Sequence, residues 1–368
     1  VTTSTFDSYR PPEPPRRKRR REGPRPASRP GAGGGDGSRE MSMVDDVKFS
    51  SYYGRPIVKA PPWKHEIGLY FVLGGIAGGS ALLGFGAQLA GLRKLRRNSR
   101  LTALGAAGAG ALALIADLGR PERFLNMFRT FKVTSPMSLG SWLLGGFSAL
   151  AAIPALSELV RMTHGFILPK PLRRSGRRVL EATENVAGAG SALLAAPLAV
   201  YTAVLINDTA NPVWNASRKH LPYVFASSAS LASAGVAMIT TSKRQTLPAR
   251  ILGGIGVVGD VVSMHVMKDA MHPAEREPLE TGEPGKMLKF AEILAVAGGV
   301  GSIFAGRSRL VAVASGVCLV GASALTRFGV LDAGLESVHD PRHVIEPQKA
   351  RLAARRAAGI TDDSITTV

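Results

Sequence analysis

The chain has 368 residues, 45% of them hydrophobic, and its 46 Lys and Arg outweigh 27 Asp and Glu to give a formal net charge of +19. A lone cysteine, Cys318, excludes an internal disulfide and an iron–sulfur cluster, which draws on several thiolates. The seven histidines form no facing pair at mid-helix positions, as a bis-histidine haem would need, so no metal is expected in this chain. The positive charge raises nucleic acid as a partner. The basic residues stand in loops and tails without interleaved aromatics, so membrane topology explains them better and no nucleic acid is expected.

Residues 1–40 are rich in Pro, Gly and Arg and too poor in apolar side chains to fold alone. The basic block Arg16–Arg21 lacks the apolar stretch of a signal peptide after it. Met41 and Met43 precede a less basic segment, which leaves a later start of translation as an expectation. From there the chain alternates between apolar runs and polar connectors. A hydrocarbon core of roughly 30 Å takes about 20 helical residues to cross, and eight runs qualify: 67–92, 101–118, 138–160, 186–206, 221–241, 251–267, 290–306 and 310–331. The fold predicted is an all-α polytopic membrane protein. A disordered basic tail occupies 1–60, an eight-helix transmembrane domain 61–335 and a polar C-terminal tail 336–368.

The first run opens on Pro61-Pro62, which bars a helix from extending backwards, and on Trp63 and Tyr70, aromatics that favour the membrane interface. Gly74 with Gly78 and Gly75 with Gly79 are small-xxx-small pairs that let a neighbouring helix approach. Pro197 interrupts the fourth run, a break that neighbours in a bundle absorb. The loops between runs one and two, three and four, five and six, and seven and eight hold most of the loop Lys and Arg, which places them inside and both termini outside. The N-terminal basic block votes the other way.

The stretch 117–142, DLGRPERFLNMFRTFKVTSPMSLGSW, concentrates the ionisable groups of a membrane boundary, which are costly unless paired or used. Asp117, Arg120, Arg123 and Arg129 lie at or beyond the end of the second run, and Ser135, Ser138 and Trp142 open the third. Gly119 and Pro121 form a ready helix stop. Asp117 with Arg120 or Arg123 reads either as a structural ion pair or as a proton-handling group. Asp260 lies deep in the sixth run with His265 beyond it, and Glu292 lies just inside the seventh. These three read as parts of a proton path or as hydrogen-bonding groups facing the bundle.

Four segments together, YFVLGGIAGGS (70–80), DLGRPERFLNMFR (117–129), TSPMSLGSW (134–142) and YTAVLINDTANPVW (201–214), resemble the membrane subunit of polysulfide reductase and its relatives, the NrfD/PsrC family. The resemblance runs over roughly 60–343 and all eight spans. It implies a cofactor-free subunit of the bacterial cell membrane, in contact with membrane lipids, that binds a quinone (menaquinone or ubiquinone) near the membrane surface. It also implies a docked iron–sulfur electron-transfer subunit and, through it, a molybdopterin catalytic subunit. In the family the pocket draws on the first and fourth spans, and Tyr70 stands where the polysulfide reductase type carries a His.

Quinone reduction takes two electrons and two protons, so such a site needs hydrogen-bond donors and a proton route. Glu66 and Tyr70, four residues apart, share a helix face, with His65 beside them. His exchanges protons near neutral pH. Tyr201 and Thr202 are expected to supply the opposite wall and Asp117 the edge, under a lid formed by 117–142. Arg120, Arg123, Arg129 and Trp214, with the loops 207–219 and 269–286, are the expected docking face for the partner. The rival readings are a proton channel or transporter and a structural anchor without a quinone site.

Overall fold

The computed structural model describes residues 56–359, apart from 64, 165, 168 and 170–172. The disordered tail expected over 1–60 therefore lies outside the described residues but for 56–60. Among the described residues every regular element is helical. In chain order they are α1 (His65–Leu89), α2 (Arg93–Asp117), α3 (Pro136–Met162), α4 (Arg173–Asn207), α5 (Pro212–Ala216), α6 (Leu221–Thr240), α7 (Leu247–Asp269), α8 (Pro273–Glu280), α9 (Gly282–Phe304), α10 (Arg309–Ser337) and α11 (Arg342–Ala357). Eight of them, all but α5, α8 and α11, are long and apolar enough to cross a membrane. They match the eight runs one for one.

The helix ends differ from the apolar runs, because charged residues extend several helices. α2 begins at Arg93 rather than 101 and α4 at Arg173 rather than 186. The added turns carry an ion network at one end of the bundle. Glu158 of α3 accepts from Arg96 at 2.7 Å, Arg100 at 2.9 Å and Arg161 at 3.2 Å. Glu184 of α4 pairs with Arg161 at 2.6 Å and Arg100 at 3.4 Å. Arg100 and Glu158 are buried, so the charges compensate one another where solvent does not.

The sixth and seventh spans, read as 251–267 and 290–306, are helices of 23 residues each, Leu247–Asp269 and Gly282–Phe304. The stretch 269–286, expected to be a loop, is mostly helical as well. His272 caps α8, accepting the Ala274 N–H at 3.2 Å, while Glu275 takes the His272 N–H at 3.3 Å, a reciprocal capping box. The polar C-terminal stretch contains α11, which packs on α8 with Arg351 3.5 Å from Glu275.

α1 is the most enclosed span, packed against α2, α4, α6 and α10. Its glycines permit this. A Cβ on Gly79 would collide with Ser233 of α6, and one on Gly75 would lie 2.8 Å from the Arg327 guanidinium of α10. Arg327 itself is wholly buried. It donates to the Phe71 carbonyl of α1 at 2.7 Å, the Phe225 carbonyl of α6 at 2.7 Å and Ser228 Oγ at 3.1 Å, and lies 4.6 Å from the Phe225 ring centre. One side chain thus ties three spans together.

Candidate functional site

At the α1 N-terminal end of the bundle, opposite the Glu158 network, four helices and a lid enclose a cavity of about 470 Å³. α1 gives a helical stripe, Ile67, Tyr70 and Phe71, with Trp63 just before it. α2 contributes Leu114 and Asp117, α3 contributes Gly140 and Ser141, and α4 contributes Tyr201 and Leu205. The wall is mainly apolar. Asp117 is its only carboxylate among the described residues, and the Tyr70 and Tyr201 rings meet edge-on with centres 6.3 Å apart.

The sequence of the connector explains the lid. Gly119 takes a left-handed φ of +60°, which ends α2, and Pro121 starts a 3-10 turn over Pro121–Phe128. Phe124, Met127 and Phe128 of that turn face the cavity. Its exit is fastened to α3. Ser135 caps the helix by accepting the Ser138 N–H at 3.4 Å, and Ser138 Oγ donates to the Thr130 carbonyl and accepts the Lys132 N–H, both at 3.1 Å. Trp142 packs edge-on against Phe128 and Phe131 at 5.7 and 5.9 Å. Close approach is possible because α3 is bare at Gly145, where a Cβ would lie 2.9 Å from the Phe128 ring.

Tyr70, Asp117 and Tyr201, expected to share a site, all line this cavity. Tyr70 is 1% exposed and its hydroxyl has no hydrogen-bond partner among the described residues. A buried hydroxyl left so costs about 1–3 kcal/mol. Glu66, Thr202 and His65 are not on the wall. Glu66 and Thr202 each hold a buried, unpartnered oxygen, Thr202 being turned away from its neighbour Tyr201 by the 100° step of the helix. His65 is exposed, beside the Phe328 ring at 6.4 Å and within electrostatic reach of Asp332.

Arg120, Arg123 and Arg129 are exposed on and beside the lid. Trp214, expected on the docking face, is wholly buried and must be withdrawn from it. Its indole donates to the Val330 carbonyl at 2.9 Å, sits over Gly334, where a Cβ would collide with it, and stacks on Trp63 at 5.4 Å. It supports the cavity wall from behind.

Asp260 and His265 do not pair, since five residues of helix put them on different faces. Asp260 is buried among Arg327 and Thr326, while His265 stands 4.0 Å from Glu292. Glu292 is also within electrostatic reach of Asp260, and Glu292 and His265 stand 45% and 57% exposed on the flank of the bundle. Sequence reasoning missed Arg327. A lone arginine inside an apolar run was the available signal, because an intramembrane charge is rarely idle.

Fold and cavity together define a multi-pass α-helical membrane protein with a lidded, largely apolar cavity at one end. The family described as polysulphide reductase, NrfD, matches residues 57–256, more than half the chain, and the protein belongs to that family. That makes it a membrane subunit of polysulfide-reductase-like complexes. The matched stretch contains every cavity-lining residue and ends inside α7. No curated protein matches the chain.

Proposed function

We propose that this protein is the quinone-binding membrane anchor of a bacterial molybdopterin iron–sulfur oxidoreductase, placed in the cell membrane. It passes electrons between the quinone pool and a docked iron–sulfur subunit. The observation that carries the reading is the cavity with the buried, unpartnered Tyr70 hydroxyl on its wall. An apolar enclosure suits a lipid-soluble ring, and a phenol donor suits a quinone oxygen. Asp117, at the aqueous end of α2, is the wall's proton-exchanging group. The exposed Arg120, Arg123 and Arg129 place positive charge where the partner docks. Asp260, Glu292 and His265 are the titratable side chains on which a proton route through α7 and α9 would draw.

The test is Tyr70→Phe in the assembled complex in lipid nanodiscs. Quinol-coupled turnover is expected to fall at least tenfold, roughly one hydrogen bond at 1.4 kcal/mol per decade. Dye-linked turnover of the catalytic subunit should stay unchanged. Undiminished quinol coupling would remove the basis of the reading.

A further inference from the structure

The end of the bundle opposite the cavity carries a separate depression of about 620 Å³, lined by Lys94 and Arg97 of α2, Lys243 and Arg244 of the α6–α7 connector, and Arg309 of α10. No carboxylate lines it, and none of the five cations makes an ion pair among the described residues. Their neighbours behave differently. Arg96 and Arg100, on the same helix, are taken up by Glu158 and Glu184. The ion network therefore consumes one set of cations and leaves the other facing outward around a common hollow.

The hollow is built rather than incidental. Asn98 donates to the Thr240 carbonyl at 2.7 Å and Thr241 Oγ1 at 3.2 Å, joining α2 to α6. Gln245 Oε1 accepts the Lys94 N–H at 2.8 Å, fixing the start of α2. Arg309 donates to the Met238 and Thr241 carbonyls at 2.7 and 2.6 Å, and Lys243 to the Arg307 carbonyl at 2.8 Å. Those bonds hold two cations in place without neutralising them. Lys94 and Arg244 keep their head groups unbonded among the described residues.

The surroundings identify the ligand. The depression sits where α6 ends and α2, α7 and α10 begin, at the edge of the apolar belt. Leu310, next to Arg309, is 82% exposed, and Leu247, next to the connector, 56%. A ligand that answers both features has an anionic phosphate for the cations and hydrocarbon for the leucines. The end is also the Lys/Arg-rich one, which the positive-inside rule turns to the cytoplasmic leaflet, where anionic lipids reside. We propose that this depression binds the phosphate of an anionic phospholipid, with its acyl chains laid along Leu310 and Leu247. The proposal is independent of the quinone reading.

The experiment is native mass spectrometry of the full chain in neutral detergent, titrated with dioleoyl phosphatidylglycerol against dioleoyl phosphatidylcholine. Phosphatidylglycerol should bind preferentially, and Arg97→Gln with Arg244→Gln should weaken it on the order of thirtyfold, from about 1 kcal/mol per cation. Equal binding of the two lipids by the unaltered chain overturns the proposal without recourse to a variant. So does undiminished preference in a doubly substituted chain with an unchanged unfolding midpoint. If inorganic phosphate alone binds as tightly as the lipid, the site is a free-anion site and the lipid assignment falls.

Discussion

Replacing Arg327 by Met tests whether one guanidinium holds the spans together. The substitution removes three hydrogen bonds, to the Phe71 and Phe225 carbonyls and Ser228 Oγ, and takes a buried cation out of electrostatic reach of Asp260. The two carbonyls lose least, because each belongs to a helix. Hydrogen bonds from a charged donor contribute about 1.5–3 kcal/mol each, partly offset by the cost of keeping a guanidinium out of water. Arg327→Met should therefore lose about 2–3 kcal/mol, and Arg327→Lys, which keeps the charge but not the three-way donation, should lose less. Reversible unfolding in mixed micelles, followed by fluorescence of the stacked Trp63 and Trp214, measures both. An Arg327→Met variant within about 1 kcal/mol of the parent would refute the role given to the three hydrogen bonds.

At the other end of the bundle, Glu158→Ala strips the shared counter-charge from Arg96, Arg100 and Arg161, and should cost about 3 kcal/mol in the same assay. Added salt should restore little of this, since buried pairs are weakly screened. Gly140→Ala forces the Tyr201 ring to move, because the new Cβ would collide with it. Binding of a fluorescent menaquinone analogue should weaken roughly tenfold, as expected for about 1.4 kcal/mol, and unchanged binding would place the ligand elsewhere. Burial pushes the Glu275 carboxyl up, with Arg351 and the His272 N–H pulling it back. The folded state therefore holds its proton to higher pH than the unfolded state, and this group's contribution to stability declines as pH rises above the ordinary carboxylate range. Glu275→Gln should flatten that slope, read as hydrogen exchange in α8 and α11 across mildly acidic pH.

The spans were legible because apolar runs of membrane length admit few other structures. Their ends were not, because the charges of Arg93–Arg100 and Arg173–Glu184 looked like loop until their partners were known. Tyr70, Asp117 and Tyr201 could be grouped from the segments that contain them, and the lid from its Gly119, Pro121 and Ser135 punctuation. Glu66 illustrates the limit: it shares a helix face with Tyr70, yet the cavity stripe runs through Ile67 instead. Trp214 could not be placed by local reasoning, since an aromatic near a span end reads as an interface anchor. Its seat is Gly334, far along the chain. Arg327 was hidden for the same reason, its acceptors lying on α1 and α6.

Phe71 has one further implication. It lines the cavity while its carbonyl accepts from Arg327, and every residue touching the cavity falls between Trp63 and Leu205. The later helices therefore line none of the cavity among the described residues and meet it from behind, Arg327 through the backbone of α1 and Trp214 through the Trp63 ring. Strain arising near Arg327 has a direct route to the cavity in that peptide unit, and an isotope label on the Phe71 carbonyl would be the place to watch for it.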